Sequence, residues 1–114
     1  MATLIEDGYT LEGRIPARLP LHPEVNFRYR PALPEAVYAA TRASRTGRPE
    51  DELKADVKLV LEHLVEWDVV GADGQTAMIN DKTLRRLPAP VLQSLLLHVQ
   101  GYAVTEREAD EGNS

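Results

Sequence analysis

An α+β fold is predicted for this chain: a small N-terminal antiparallel sheet of about three strands packed on a bundle of three to four helices, with a short hairpin near 69–79. Three observations predict it. Apolar residues alternate with polar ones over 9–15 and again over 25–30, the period of a strand with one wet face. Apolar residues recur at helical spacing over 51–68 and 89–103. Asp-Gly pairs at 7–8 and 73–74 each sit between short β-forming runs, a hairpin signal. With 114 residues and 43% hydrophobic content the chain has the size and the apolar fraction of one domain. That domain is expected over 1–104. Residues 105–114, TEREADEGNS, hold no large apolar side chain to offset the entropy of ordering, and are expected as a disordered acidic tail.

In order, a first strand over 3–5 and a second over 9–15 are expected to pair across Asp7-Gly8. Pro16, Pro20 and Pro23 then punctuate a connector that is expected to run as extended coil. Val25, Phe27 and Tyr29 alternate with Asn26, Arg28 and Arg30, giving a third strand closed by Pro31. Pro34 and Glu35 open a helix over about 34–45, stopped near Gly47.

The most regular stretch follows. Leu53, Val57, Val60, Leu61 and Leu64 lie on one helical stripe that leads to Trp67, while Lys54, Asp56, Lys58, Glu62 and Glu66 fall largely off it. Pro49 suits the first helical turn, and Glu50, Asp51 and Glu52 sit at the positive end of the helix dipole. One buried face is expected. Val69-Val70 and residues 76–79 flank Asp73-Gly74 as the second hairpin, and Asn80 or Asp81 caps a short turn containing Leu84. Leu87-Pro88-Ala89-Pro90 resets the chain before a last amphipathic helix over about 89–103.

Charge and composition exclude several function classes. The net charge of −5 divides as +2 over 1–48 (7 basic, 5 acidic), −4 over 49–104 (5 and 9) and −3 over 105–114 (1 and 4). This balance disfavours general nucleic-acid binding, which needs a concentrated basic surface. Arg28, Arg30, Arg42, Arg45 and Arg48 are the densest basic set, but alternation turns Phe27 and Tyr29 away from Arg28 and Arg30, so aromatic stacking on that face is not expected. Without cysteine there are no disulfides or thiolate metal sites. No apolar run approaches the ~20 residues that span a bilayer, and no basic leader precedes one, so a non-exported protein without membrane partners is expected.

Catalytic and metal chemistry find no constellation. His22, His63 and His98 lie in the connector and two separate helices, without ligand spacing, and are expected to pack. Asp7-Gly8 and Asp73-Gly74 lack the recurrent carboxylates of a calcium loop. No catalytic residue, metal or cofactor is expected. Trp67 reads as the plug at the end of the central helix or, as the only tryptophan, as a partner anchor. Leu95, Leu96 and Leu97 in succession cannot all face one core, so Leu92, Leu95, Leu96 and Val99 are expected to form a partner-binding surface on the last helix.

The run LVEWDVVGADGQ at 64–75, followed by MINDKTLRRLPAPVLQSLL at 78–96, resembles the tail assembly chaperones of long-tailed bacteriophages. In that family a helix ends in Trp-Asp, an Asp-Gly turn and a short apolar strand follow, and a Leu-Pro step leads into a leucine-rich helix. FRYRPALPE at 27–35 is similar to the family's passage from strands to helices, so the resemblance covers about residues 25–100. It implies a non-enzymatic protein of the infected host cytoplasm, absent from the mature virion. Such a protein binds the tape-measure protein, keeps it soluble, and helps tail tube subunits assemble around it. The resemblance carries over to Trp67, Asp68, Asp73, Gly74, Leu87 and Pro88, expected to hold the fold. Helix-in-groove contact with the apolar faces of a long helical partner is the physical counterpart of such a role. Self-association is compatible with it. The reading set against it is a structural virion protein, such as a head-tail connector or tail-completion subunit. A bacterial regulatory interaction domain is a third.

Overall fold

Alternation over the first described strand carries directly into pairing. The computed structural model describes residues 8–103, and in it β1 (Leu11–Ile15) and β2 (Val25–Tyr29) form an antiparallel hairpin with Gly13 opposite Phe27. α1 (Pro34–Ser44), α2 (Pro49–His63), β3 (Leu64–Trp67), α3 (Asp81–Leu84) and α4 (Ala89–Gln100) follow. The sheet order is β1-β2-β3, all antiparallel, so the described residues form an α+β domain with three strands and four helices among them. The strand expected over 3–5 and the tail expected over 105–114 lie outside the described residues.

The third strand is not N-terminal. Residues 64–67, expected as the end of the central helix, leave it at His63 and become β3 without an intervening loop. Leu64 N–H still donates to Val60 O, the last helical bond, while its own ψ of 125° is already extended. β3 then pairs with β2 through a register shift: Tyr29 faces Leu64 and Arg28 faces Glu66, so Val65 is an extra residue. That bulge turns Leu64 and Trp67, three apart, to the same buried face. A spacing of three is the helical signature, which is why alternation did not reveal the strand.

α2 also differs from expectation in its faces. Val57 and Val60 are fully buried toward the core, while Ala55 and Leu59 are buried on the side that meets α1. Leu53 and Leu61, expected on the stripe, remain partly exposed. α1 lies beside α2, as two helices joined by a short turn are expected to do, but contributes no buried residue, because it meets α2 through Ala36, Ala39, Ala40 and Ala43.

The connector at 16–23 is a compact loop, not extended coil. Arg18 N–H donates to His22 O at 2.9 Å and Leu21 N–H to Arg18 O at 2.8 Å, with a cis Leu19–Pro20 peptide bond between them. Residues 69–79 form a loop closed by one bridge, Val70 to Thr76, rather than two strands. Its turn has the expected chemistry: Gly74 adopts a φ of 77°, open to glycine, and the Asp73 carboxylate accepts from Gln75 N–H at 3.0 Å. Asn80 caps α3 reciprocally with Thr83, at 2.8 and 3.0 Å. α4 stops at Gln100, short of the expected 103, because Gly101 turns left-handed at a φ of 87° and Tyr102 N–H bonds back to Leu97 O.

The core lies between the inner sheet face and α2, α3 and α4. Phe27 is its hub: its ring meets His98 edge-on at 5.0 Å between centroids and Tyr29 at 5.6 Å. The same ring covers Gly13, where a Cβ would lie 2.2 Å from the ring's Cζ. The outer sheet face is polar and uncovered. On it Arg28 bridges Glu12 at 3.3 Å and Glu66 at 3.5 Å, and Arg14 bonds Glu24.

Candidate functional site: an apolar cleft beside the hairpin loop

The leucine surplus of α4 is largely spent on the core. Leu95 and Val99, expected at the partner surface, are 0% and 1% exposed, and Leu92 and Leu96 are half-buried against the core. α4 lies against both α2 and β1, so two neighbours use a broader apolar face than one stripe. Of the leucine triplet Leu97, at 43%, is the most exposed. Trp67 is likewise inside: it stands opposite Phe27 on β3, and its indole N–H donates to Ala77 O at 2.7 Å, tying the 69–79 loop to the sheet. Leu95, Val99 and Trp67 are thus buried, and Leu92 and Leu96 half-buried, in this structure.

Of the six positions carried by the resemblance, Trp67 lies in the core and the other five separate into two groups. Asp73 and Gly74 make the loop turn. Asp68, Leu87 and Pro88 converge on one cleft of about 270 Å³ between the β1–β2 loop, the end of β3 and the step into α4. Apolar walls come from Val69, Leu87, Pro88 and Val91, and its mouth carries Leu21 and Val70, 52% and 58% exposed. Single exposed apolar residues are ordinary, but several on one concave patch mark an interaction site.

Polar groups frame this cleft. Asp68 is committed to Asn26: Oδ1 accepts from the Asn26 backbone N–H at 2.9 Å and Oδ2 from its side-chain amide at 3.0 Å. Glu24, on the rim, bonds Arg14 and Asn26, and these two donors hold its carboxyl below the usual carboxylate range. His22 is buried in the wall, with Nδ1 donating to Pro23 O at 2.7 Å. Arg86 is the cation at the cleft. Among the described residues no three His, Asp or Glu side chains are grouped to hold a metal ion, and no helix is long and apolar enough to cross a membrane. What the arrangement can do is enclose one or two large apolar side chains of a partner.

Leu21 and Val70 were not singled out by sequence reasoning. Both fall in segments whose turn chemistry hid them. The available signal was an apolar residue beside proline, in Leu19-Pro20-Leu21, and a Val-Val pair leading into a glycine-rich turn.

Comparison with protein-family models, with curated proteins and with solved structures gives no match in any of the three. The fold and the cleft define a small α+β domain with an apolar cleft beside the hairpin loop.

Proposed function

We propose that this chain is a non-enzymatic assembly chaperone for the tape-measure protein of a long-tailed bacteriophage, acting in the host cytoplasm and absent from the mature virion. The observation that supports this reading is the convergence of Asp68, Leu87 and Pro88, three of the positions that carry the resemblance, on the cleft whose mouth exposes Leu21 and Val70. A tape-measure chain presents apolar faces along its length before the tube encloses them. A cleft that takes one or two apolar side chains binds such a face at intervals, shielding it from aggregation and releasing it as tube subunits arrive. Weak, reversible contact suits a protein that leaves before the particle is complete.

Co-expression tests this. With the tape-measure protein of the same gene cluster, the chain is expected to bring that protein into the soluble fraction and to co-purify with it. Mass spectrometry of purified particles is expected to lack the chain. Its presence there would replace this reading with a structural virion subunit.

A further inference from the structure

Arg85 and Arg86 leave the short helix α3 side by side, with different fates. Arg85 reaches back to Asp81, its Nε donating to Oδ1 at 2.7 Å. The Arg86 side chain is exposed, lines the cleft, and has no hydrogen bond or ion pair among the described residues. Its backbone is nevertheless fixed. Arg86 N–H donates to Thr83 O at 3.1 Å, Thr83 is locked into its reciprocal cap with Asn80, and Leu84, two residues earlier, is 0% exposed in the core. A guanidinium with all its donors open thus stands on a rigid turn, beside the apolar wall of Leu87, Pro88 and Val91.

The two carboxylates of the cleft are already engaged within the chain. Glu24 accepts from Arg14 and Asn26, and Asp68 accepts from the backbone and side-chain N–H groups of Asn26. A partner that fills the cleft strips water from Arg86, and a desolvated charged donor without an acceptor costs more than its bond would contribute. The occupant must therefore bring an acceptor. A carboxylate fits best, because its two oxygens match the fork of guanidinium N–H groups. A polyanion such as nucleic acid is disfavoured, since Glu24 and Asp68 line the same cleft.

We propose that the cleft selects a helical protein segment with an acidic border: large apolar side chains seat against Leu21, Val70 and Leu87, and an Asp or Glu three or four residues from the apolar anchor pairs with Arg86. At that spacing the two side chains are neighbours on one helix face, about 5–6 Å apart. This assignment rests on the reading of the cleft as the docking site for the apolar face of a helical partner, and adds which faces it takes. It runs against net charge, since a chain of −5 would by long-range attraction favour basic segments.

Three fluorescein-labelled helical peptides test it, identical except for Glu, Gln or Lys at one position bordering a leucine stripe, each titrated against the full chain by fluorescence anisotropy. Wild type is expected to bind the Glu peptide roughly fivefold more tightly than the Gln peptide, the scale of an ion pair at a partly wet site, and the Lys peptide most weakly. Arg86→Gln is expected to erase the preference for Glu, and Arg86→Glu to reverse it in favour of Lys, an exchange that a merely structural role of Arg86 would not produce. Circular dichroism checks that each variant is folded. A Glu preference that persists in Arg86→Gln overturns the assignment, as does its absence in wild type while the Leu21→Glu, Val70→Glu double variant still abolishes binding. Either of those results leaves the cleft standing as a docking site. Binding of none of the peptides, or binding that the folded double variant retains, overturns the docking reading and the assignment together.

Discussion

Asp68 grips Asn26 three times: its two carboxylate oxygens accept from the backbone and side-chain N–H groups of Asn26, and its own N–H donates to Asn26 O at 3.1 Å. The clamp sits one residue past the end of β3 and prolongs the β2–β3 ladder, so it fixes where the chain leaves the sheet for the cleft. Its side-chain half is removable. Asp68→Ala is expected to cost about 1–2 kcal/mol by chemical denaturation, the range for charge-assisted bonds at a partly wet site, and Asp68→Asn less. Equal stability of all three forms would show that the ladder alone holds the exit.

Gly13 and Phe27 make a packing prediction of opposite intuition. Alanine is the better residue for most strands, yet a Cβ at 13 collides with a buried ring. Gly13→Ala is therefore expected to destabilise by about 1–3 kcal/mol, the usual cost of overpacking. Adding Phe27→Leu, which shortens the obstructing side chain, is expected to recover part of the loss, so that the double variant is more stable than the sum of the two single effects.

Trp67 couples the sheet to the 69–79 loop through one bond to Ala77 O. Trp67→Phe removes the donor and leaves a small void, and is expected to cost about 2–4 kcal/mol. Hydrogen exchange gives the sharper test. Amides of 69–79 should lose protection more than those of α4.

Two carboxylates have opposite pH signatures. Burial, with Glu52 nearby, raises the Asp56 carboxyl above its ordinary value, so the fold favours its protonated form. The stability this contributes is full below the unfolded value and is lost as pH rises through the folded one. Asp56→Asn is thus expected to be more stable than wild type at neutral pH, with the difference shrinking as pH falls through the carboxylate range. Glu24 is the reverse case: its bonds to Arg14 and Asn26 lower its value, so its contribution is present above the unfolded value and is lost as pH falls through the folded one. Glu24→Gln is expected to be slightly less stable at neutral pH only. Melting curves across pH on both variants check the two signs.

Much of this architecture was legible from residue pattern. The alternations at 11–15 and 25–29, the proline-led helices and the Asn80 cap stand where propensity and capping chemistry put them. The helix-to-strand switch at His63 was not, because a bulge at Val65 gives Leu64 and Trp67 a spacing that a helix also produces. Leu95 and Val99 on α4, expected at a partner surface, are drawn into the core for a related reason. Sequence shows how many apolar residues a helix carries but not how many neighbours it has, and α4 has two. The cleft was hidden further, since its walls come from three loops that only tertiary packing brings together.

The most direct measurement is capture of the soluble tape-measure protein by wild-type chain and by a Leu21→Glu, Val70→Glu double variant. Both positions are exposed, so the variant is expected to melt like wild type while losing capture at least tenfold. Retained capture by the folded variant would contradict the cleft as the binding site, and absence of capture by wild type would contradict the chaperone reading itself.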